Sequence, residues 1–207
     1  IVKIINALGS GDAFKIINNF VTGKNLIRLL GAIQPKKAAS VILKFDDQQR
    51  VKIWKSLPLS KVSKIINFVS TDLVRKAFDL FSPKELVFLG EKAKPAVVAE
   101  AFGKLEEEQQ VMIAEKATPA FFSKVFSKLG LETVLKIFDK CDKKQKLSLF
   151  SSMNAAKAGE LLKALPPKSQ QFLLTESSID ALKKVLGRVP VETGSHVLHT
   201  VDDTLVH

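Results

Sequence analysis

PAFFSKVFSKLG at residues 119–130 and LETVLKIFDKCD at residues 131–142 are two consecutive blocks of twelve, and their common pattern decides the fold. Each block carries an apolar residue at its fourth, seventh, eighth and eleventh places. These are Phe122, Val125, Phe126 and Leu129, then Val134, Ile137, Phe138 and Cys141. The offsets i, i+3, i+4 and i+7 define one face of a short amphipathic helix.

The same template runs end to end from Pro35 to Asp202, fourteen units with no insertion. All fourteen seventh places are apolar, from Val41 and Ile53 to Val185 and Val197. The eighth place fails only at Gly90 and the eleventh only at Ser177. All eight prolines fall at the first or last place of a unit, where a residue that cannot donate a backbone hydrogen bond is tolerated. A continuous helix is ruled out, because twelve residues at about 100° each leave the stripe about 120° out of phase. The chain must therefore turn once per unit, with helices of about eight or nine residues joined by links of three or four. Such helices are unstable alone and must stack on their neighbours.

The first 34 residues are a looser version of the same series. A Lys-Ile-Ile-Asn core recurs at Lys3, Lys15 and Lys64; the first two copies are twelve apart, and the third sits one residue out of their phase. That displacement predicts a one-residue slip near Gly23 or Gly31. Period-two runs and Asn-Gly or Asp-Gly turns are missing, so no strands are expected. The predicted fold is all-α: a right-handed superhelix, or α-solenoid, of about 17 short helices, forming one continuous domain over residues 1–207.

Charged residues recur in every unit, so no apolar run reaches the roughly 18 residues of a membrane span. A single cysteine, Cys141, precludes an internal disulfide framework and favours an intracellular setting, with secretion left open. The chain opens on Ile1 rather than methionine, as a processed protein or a fragment would. Both ends stop in mid-unit with apolar residues such as Val2, Ile4, Leu205 and Val206. A solenoid's terminal repeats are usually polar outside, so a missing neighbour or self-association through the ends is expected.

Leu57-Pro58 followed by Ser60, Val62 and Ile65-Ile66, together with LLKALPPKSQQFLLT at residues 161–175, resembles the cytosolic N domain of MgtE-type magnesium transporters. The resemblance implies a right-handed superhelix of short helices at a twelve-residue pitch. Flagellar motor switch proteins carry a related helical-repeat domain that serves as an interaction scaffold. The transporter domain is acidic and helps to bind regulatory magnesium, whereas this chain is basic and shows no matching carboxylate cluster. Only the fold and a scaffold role carry over, and no metal ligand does.

The net charge of +11 favours acidic or phosphate-bearing partners. Sixth places hold Lys52, Lys64, Lys76, Lys124, Lys136 and Lys184; tenth places hold Lys44, Lys92, Lys104, Lys116, Lys128, Lys140 and Arg188. Places six and ten lie one turn apart, opposite the apolar face. Three units carry both cations, which makes Lys124, Lys128, Lys136, Lys140, Lys184 and Arg188 the candidate binding residues. The plainer reading is a solvated helix face, interrupted by Glu100 and Glu160 and partly neutralised by Asp79, Glu91, Glu115 and Asp139 at ninth places.

The expected function is a non-enzymatic scaffold or adaptor that docks an acidic segment of another protein. The alternative is a polyanion binder for nucleic acid or an anionic membrane surface. Nucleic-acid binding usually wants aromatics beside the cations, and here they fall on the opposite face. Phe78, Phe102, Phe126 and Phe150 recur every 24 residues, read as core packing and as a sign that two helices form one geometric unit. Phe68, Leu80, Phe88 and Phe121 fall outside the core places and are candidates for an exposed contact surface.

Glu106-Glu107-Glu108 opens a helix, where carboxylates complement the N-terminal dipole. His196 and His199 have a spacing compatible with zinc but lack a convincing set of partners. Gly-rich phosphate loops and Gly-x-Ser-x-Gly are absent, and no inward place holds an acid. No enzyme activity, cofactor, metal or small-molecule substrate is expected.

Overall fold

The computed structural model describes residues 1–186. Sixteen α-helices occur among them, with no strand: α1 (Val2–Ala7), α2 (Ser10–Phe20), α3 (Gly23–Ala32), α4 (Pro35–Ile42), α5 (Asp47–Ser56), α6 (Leu59–Ile65), α7 (Thr71–Phe78) and α8 (Pro83–Lys92). The series continues with α9 (Pro95–Gly103), α10 (Glu107–Lys116), α11 (Pro119–Val125), α12 (Leu131–Lys140), α13 (Lys143–Ser152), α14 (Ala155–Ala164), α15 (Pro167–Glu176) and α16 (Ile179–Leu186). Short 3-10 turns, Ile66–Phe68 and Phe126–Lys128, extend α6 and α11. The chain is an all-α helical repeat.

From α4 to α16 every helix begins at the first place of a twelve-residue unit. The cause is local and repeats at place twelve, the N-cap. Asp46, Ser82, Glu106 and Asp142 each form a reciprocal capping box with the residue three further on. Thr118 and Asn154 accept a bond from the backbone N–H of Phe121 and Lys157. Pro35, Pro83, Pro95, Pro119 and Pro167 take the first helical position, and Pro58 and Pro166 the cap itself. Pro190 lies outside the described residues.

The links are shorter than expected. Eight of the described helices run for ten residues and leave two residues between them and the next helix; Leu57, Cys141 and Leu165 show the extended backbone of the first of these. An extended residue at place eleven reverses the chain and also returns an apolar side chain to the core. At three polar fourth places the side chain closes the same joint: Arg50, Gln110 and Gln170 donate to the carbonyls of Phe45, Leu105 and Leu165, five residues back.

All thirteen described seventh places are buried, as are all twelve eighth places whose side chains are described. Phe102, Phe126, Phe138 and Phe150 are at most 1% exposed, each worth about 1.5–3 kcal/mol relative to an exposed ring. Place three is a shoulder of this stripe and is mostly half-buried. Phe121 sits there and is buried, its ring meeting Phe126 edge-on at 6.3 Å, so it is a core residue and not a contact surface.

The chain divides into two compact units, Ile1–Lys104 and Leu105–His207. In both, a helix packs on the one two places along, so the spatial repeat is 24 residues. In the first unit α2, α4, α6 and α8 form a row, and α7 packs on α9. In the second, α10, α12, α14 and α16 form one row and α11, α13 and α15 the other. The Lys-Ile-Ile-Asn core has a role in the first unit. Asn6 accepts from the backbone N–H of Gln34 at 2.9 Å, and Asn67 from that of Lys94 at 2.8 Å. Each fastens the cap of a helix three along in the series.

The slip lies before Gly23. Ser10 and Gly23 open successive helices thirteen apart, whereas Gly23 and Pro35 are twelve apart. Gly23 has φ +54°, the one left-handed backbone among the described residues, which a residue without a side chain adopts at little cost.

Candidate functional site

Among the candidate cations in the second unit, Lys128, Lys136 and Lys140 are exposed and Lys124 is half-buried. Lys184 lies on α16, and Arg188, His196 and His199 fall outside the described residues. Lys52, Lys64, Lys76, Lys44, Lys92, Lys104 and Lys116 are all exposed, so the described members of places six and ten face solvent apart from Lys124.

Carboxylates reach this stripe from within its helices and from the neighbouring helix of the row. Glu132 lies 2.8 Å from Lys136 one turn away, the favourable order for such a pair. Glu107 on α10 lies 3.9 Å from Lys140 on α12, across the packed row. In the first unit Lys104 meets Asp72 at 3.0 Å and Glu100 at 3.8 Å. Hydrogen bonding and charge within these pairs raise the pKa of Lys136 and Lys104 and lower that of Glu132. All these groups are well exposed, and solvent screens such pairs strongly.

The other proposed contact residues are partly covered. Phe68 is 44% exposed with the Lys94 ammonium 5.5 Å from its ring centre, and Phe88 is half-buried with Lys92 at 6.0 Å. Leu80 is half-buried along a small cleft of about 90 Å³ between α5 and α7. Cys141 is buried, and desolvation pushes its thiol up to about 11, opposite to the shift an active nucleophile needs. No group of three or more His, Cys, Asp or Glu that could hold a metal occurs among the described residues. Glu106 is occupied as the cap of α10.

The sequence reading missed a groove of about 520 Å³ between α3 and α5. Its floor is Leu26, Ile27, Phe45 and Ile53. Its rim carries Lys24 and Arg28 on α3 and Lys52 on α5, all exposed, and no carboxylate lines it. The groove follows directly on the slip at Gly23. α3 and α5 make no close backbone approach to each other comparable to those in the rows. The slip itself was the available signal.

The architecture defines a helical-repeat domain made of short helices packed in alternate rows. Residues 93–187 match the model of a protein family, the MgtE intracellular N domain, and that stretch is similar to it. The match spans α9 to α16 and includes the Leu-Pro-Pro segment at residues 161–175; the Leu57-Pro58 segment lies outside it. No curated protein and no solved structure matches the chain. No helix among the described residues is long and apolar enough to cross a membrane.

Proposed function

We propose that the chain is a non-enzymatic helical-repeat scaffold that docks an acidic segment of another protein on its cationic surface. The observation that carries this reading is the placement of lysines at two fixed places of the repeat, with Lys128, Lys136 and Lys140 held out to solvent. A packed helix face presents such charges at regular spacing, and their exposed ion pairs exchange at little cost. Lys124, Lys184 and Arg188 complete the proposed set. The similarity of residues 93–187 to an intracellular helical domain supports a scaffold and names no partner.

The test compares the protein with a Lys128→Glu, Lys136→Glu, Lys140→Glu variant. Both are assayed against an unstructured aspartate- and glutamate-rich peptide, against heparin, and against phosphatidylserine vesicles. The scaffold reading expects peptide binding that weakens as salt rises and is lost in the variant. Tighter binding to heparin or vesicles than to the peptide overturns it in favour of the polyanion reading.

A further inference from the structure

We infer that the groove between α3 and α5 receives an acidic amphipathic helix of a partner protein. This deepens the scaffold reading and rests on it. Within the rows, apolar places four, seven and eight of one helix are covered by the helix two along. In the groove Leu26 and Ile27 on α3 are only half-buried, above a floor closed by the buried Phe45 and Ile53. Leu26 is the fourth place of the α3 unit and Ile53 the seventh of the α5 unit, and both look onto a cleft of about 520 Å³. A helix ridge is what fills these places elsewhere in the chain, and it is the occupant this surface is shaped to take.

The charges choose which helix. Lys24 and Arg28 stand one turn apart on one wall and Lys52 on the other, and none of the three has an acid beside it in the groove. An occupant with apolar residues at i, i+3, i+4 and i+7 and carboxylates on both flanks matches floor and rims together. The walls are ten residues long, so about three turns, or 15 Å, of the occupant are gripped. A second copy of the chain is a poor occupant, because each copy carries +11 and would bring more positive charge to a cationic rim.

The probe is a fluorescein-labelled peptide of about fifteen residues, with leucines on one helical face and glutamates on the flanks, read by anisotropy. A scrambled peptide of the same composition is the control. The expected result is that the ordered peptide binds, the scrambled one binds at least about tenfold more weakly, and the triple variant Lys24→Glu, Arg28→Glu, Lys52→Glu loses at least about tenfold. Ile27→Glu, which puts a carboxylate into the floor, loses as much. Circular dichroism checks that the variants, altered at exposed or half-exposed positions, stay folded.

Failure of the ordered peptide to bind, or equal binding of the scrambled one, overturns the groove assignment, and the scaffold reading is then judged on the unstructured peptide alone. Loss in the Lys128, Lys136, Lys140 variant with full binding in the groove variant also overturns the groove and leaves the scaffold reading standing. Loss in neither variant overturns both. Displacement of the peptide by laurate at lower concentration, or a concentration-dependent dimer abolished by the groove variant, assigns a lipid or a second copy instead and overturns the inference.

Discussion

Replacing Phe126 by alanine tests the repeat at its most constrained place. The ring is fully buried and meets Phe122 edge-on at 5.0 Å and 83°, and Phe121 at 6.3 Å and 63°. Truncation removes about 3–5 kcal/mol through lost transfer energy and an unfilled cavity. Part of this is the edge-on ring attraction, about 0.5–1.5 kcal/mol for such a pair. The matched control is Phe68→Ala, at a ring 44% exposed outside the core places, where about 1 kcal/mol or less is expected. The assay is urea denaturation followed by far-ultraviolet circular dichroism, reading midpoint and slope together. A shifted midpoint at constant slope reports the stability change, whereas a fall in slope reports that part of the array unfolds separately. A loss below about 1.5 kcal/mol at Phe126, or equal losses at the two positions, would refute the assignment of place eight to the core.

Asn67→Ala and Asn6→Ala should each cost about 0.5–1.5 kcal/mol, and hydrogen exchange should quicken at Lys94 and Gln34, the amides those side chains hold. Gln110→Leu leaves the Leu105 carbonyl unpaired in a buried setting and should cost about 1–3 kcal/mol, measured by thermal unfolding. Removing the α13 cap with Asp142→Ala should cost about 1 kcal/mol. Burial holds the Cys141 thiol protonated up to about 11, against 9.0 for a free thiol. Between those values the unfolded chain has lost a proton that the folded chain keeps, so this contribution is complete below pH 9 and is lost as pH rises to 11. Stability of the native protein should therefore fall relative to Cys141→Ala across that window, as read by urea denaturation at a series of pH values.

Helix starts were legible in the sequence because their causes are local. Proline, capping residues and the four apolar places lie within one unit, and helices α4 to α16 open where those signals predict. The 24-residue beat of Phe78, Phe102, Phe126 and Phe150 was legible too. These residues lie in α7, α9, the turn after α11 and α13, all odd-numbered members of the series. The even-numbered members up to α10 carry Ile42, Ile66, Gly90 and Ala114 at the same place, and α12 breaks the alternation with Phe138. What a helix touches two units away was not legible. The pairing of Lys140 with Glu107 depends on that tertiary neighbour, and the bonds that Asn6 and Asn67 accept depend on one three along. Glu132 is a different case, because its bond to Lys136 lies within one helix and the i, i+4 rule was available.

The candidate sites divide along the same line. Places six and ten follow from the repeat alone, so the cationic stripe is a consequence of periodicity, and periodic charge has no single location to recognise. A site needs a position that differs from its equivalents. The one-residue slip supplies such a position, since α3 re-enters the phase at Gly23 and a groove lies between α3 and α5. The floor of that groove uses the same kinds of residue as the rest of the core, and its rim shares Lys52 with the stripe and adds Lys24 and Arg28. What sets it apart is the open groove of about 520 Å³ between the two helices. In the inference drawn above, the slip and not the stripe gives the proposed helix its single location, and that helix would bring an apolar ridge and negative charge to the cationic rim.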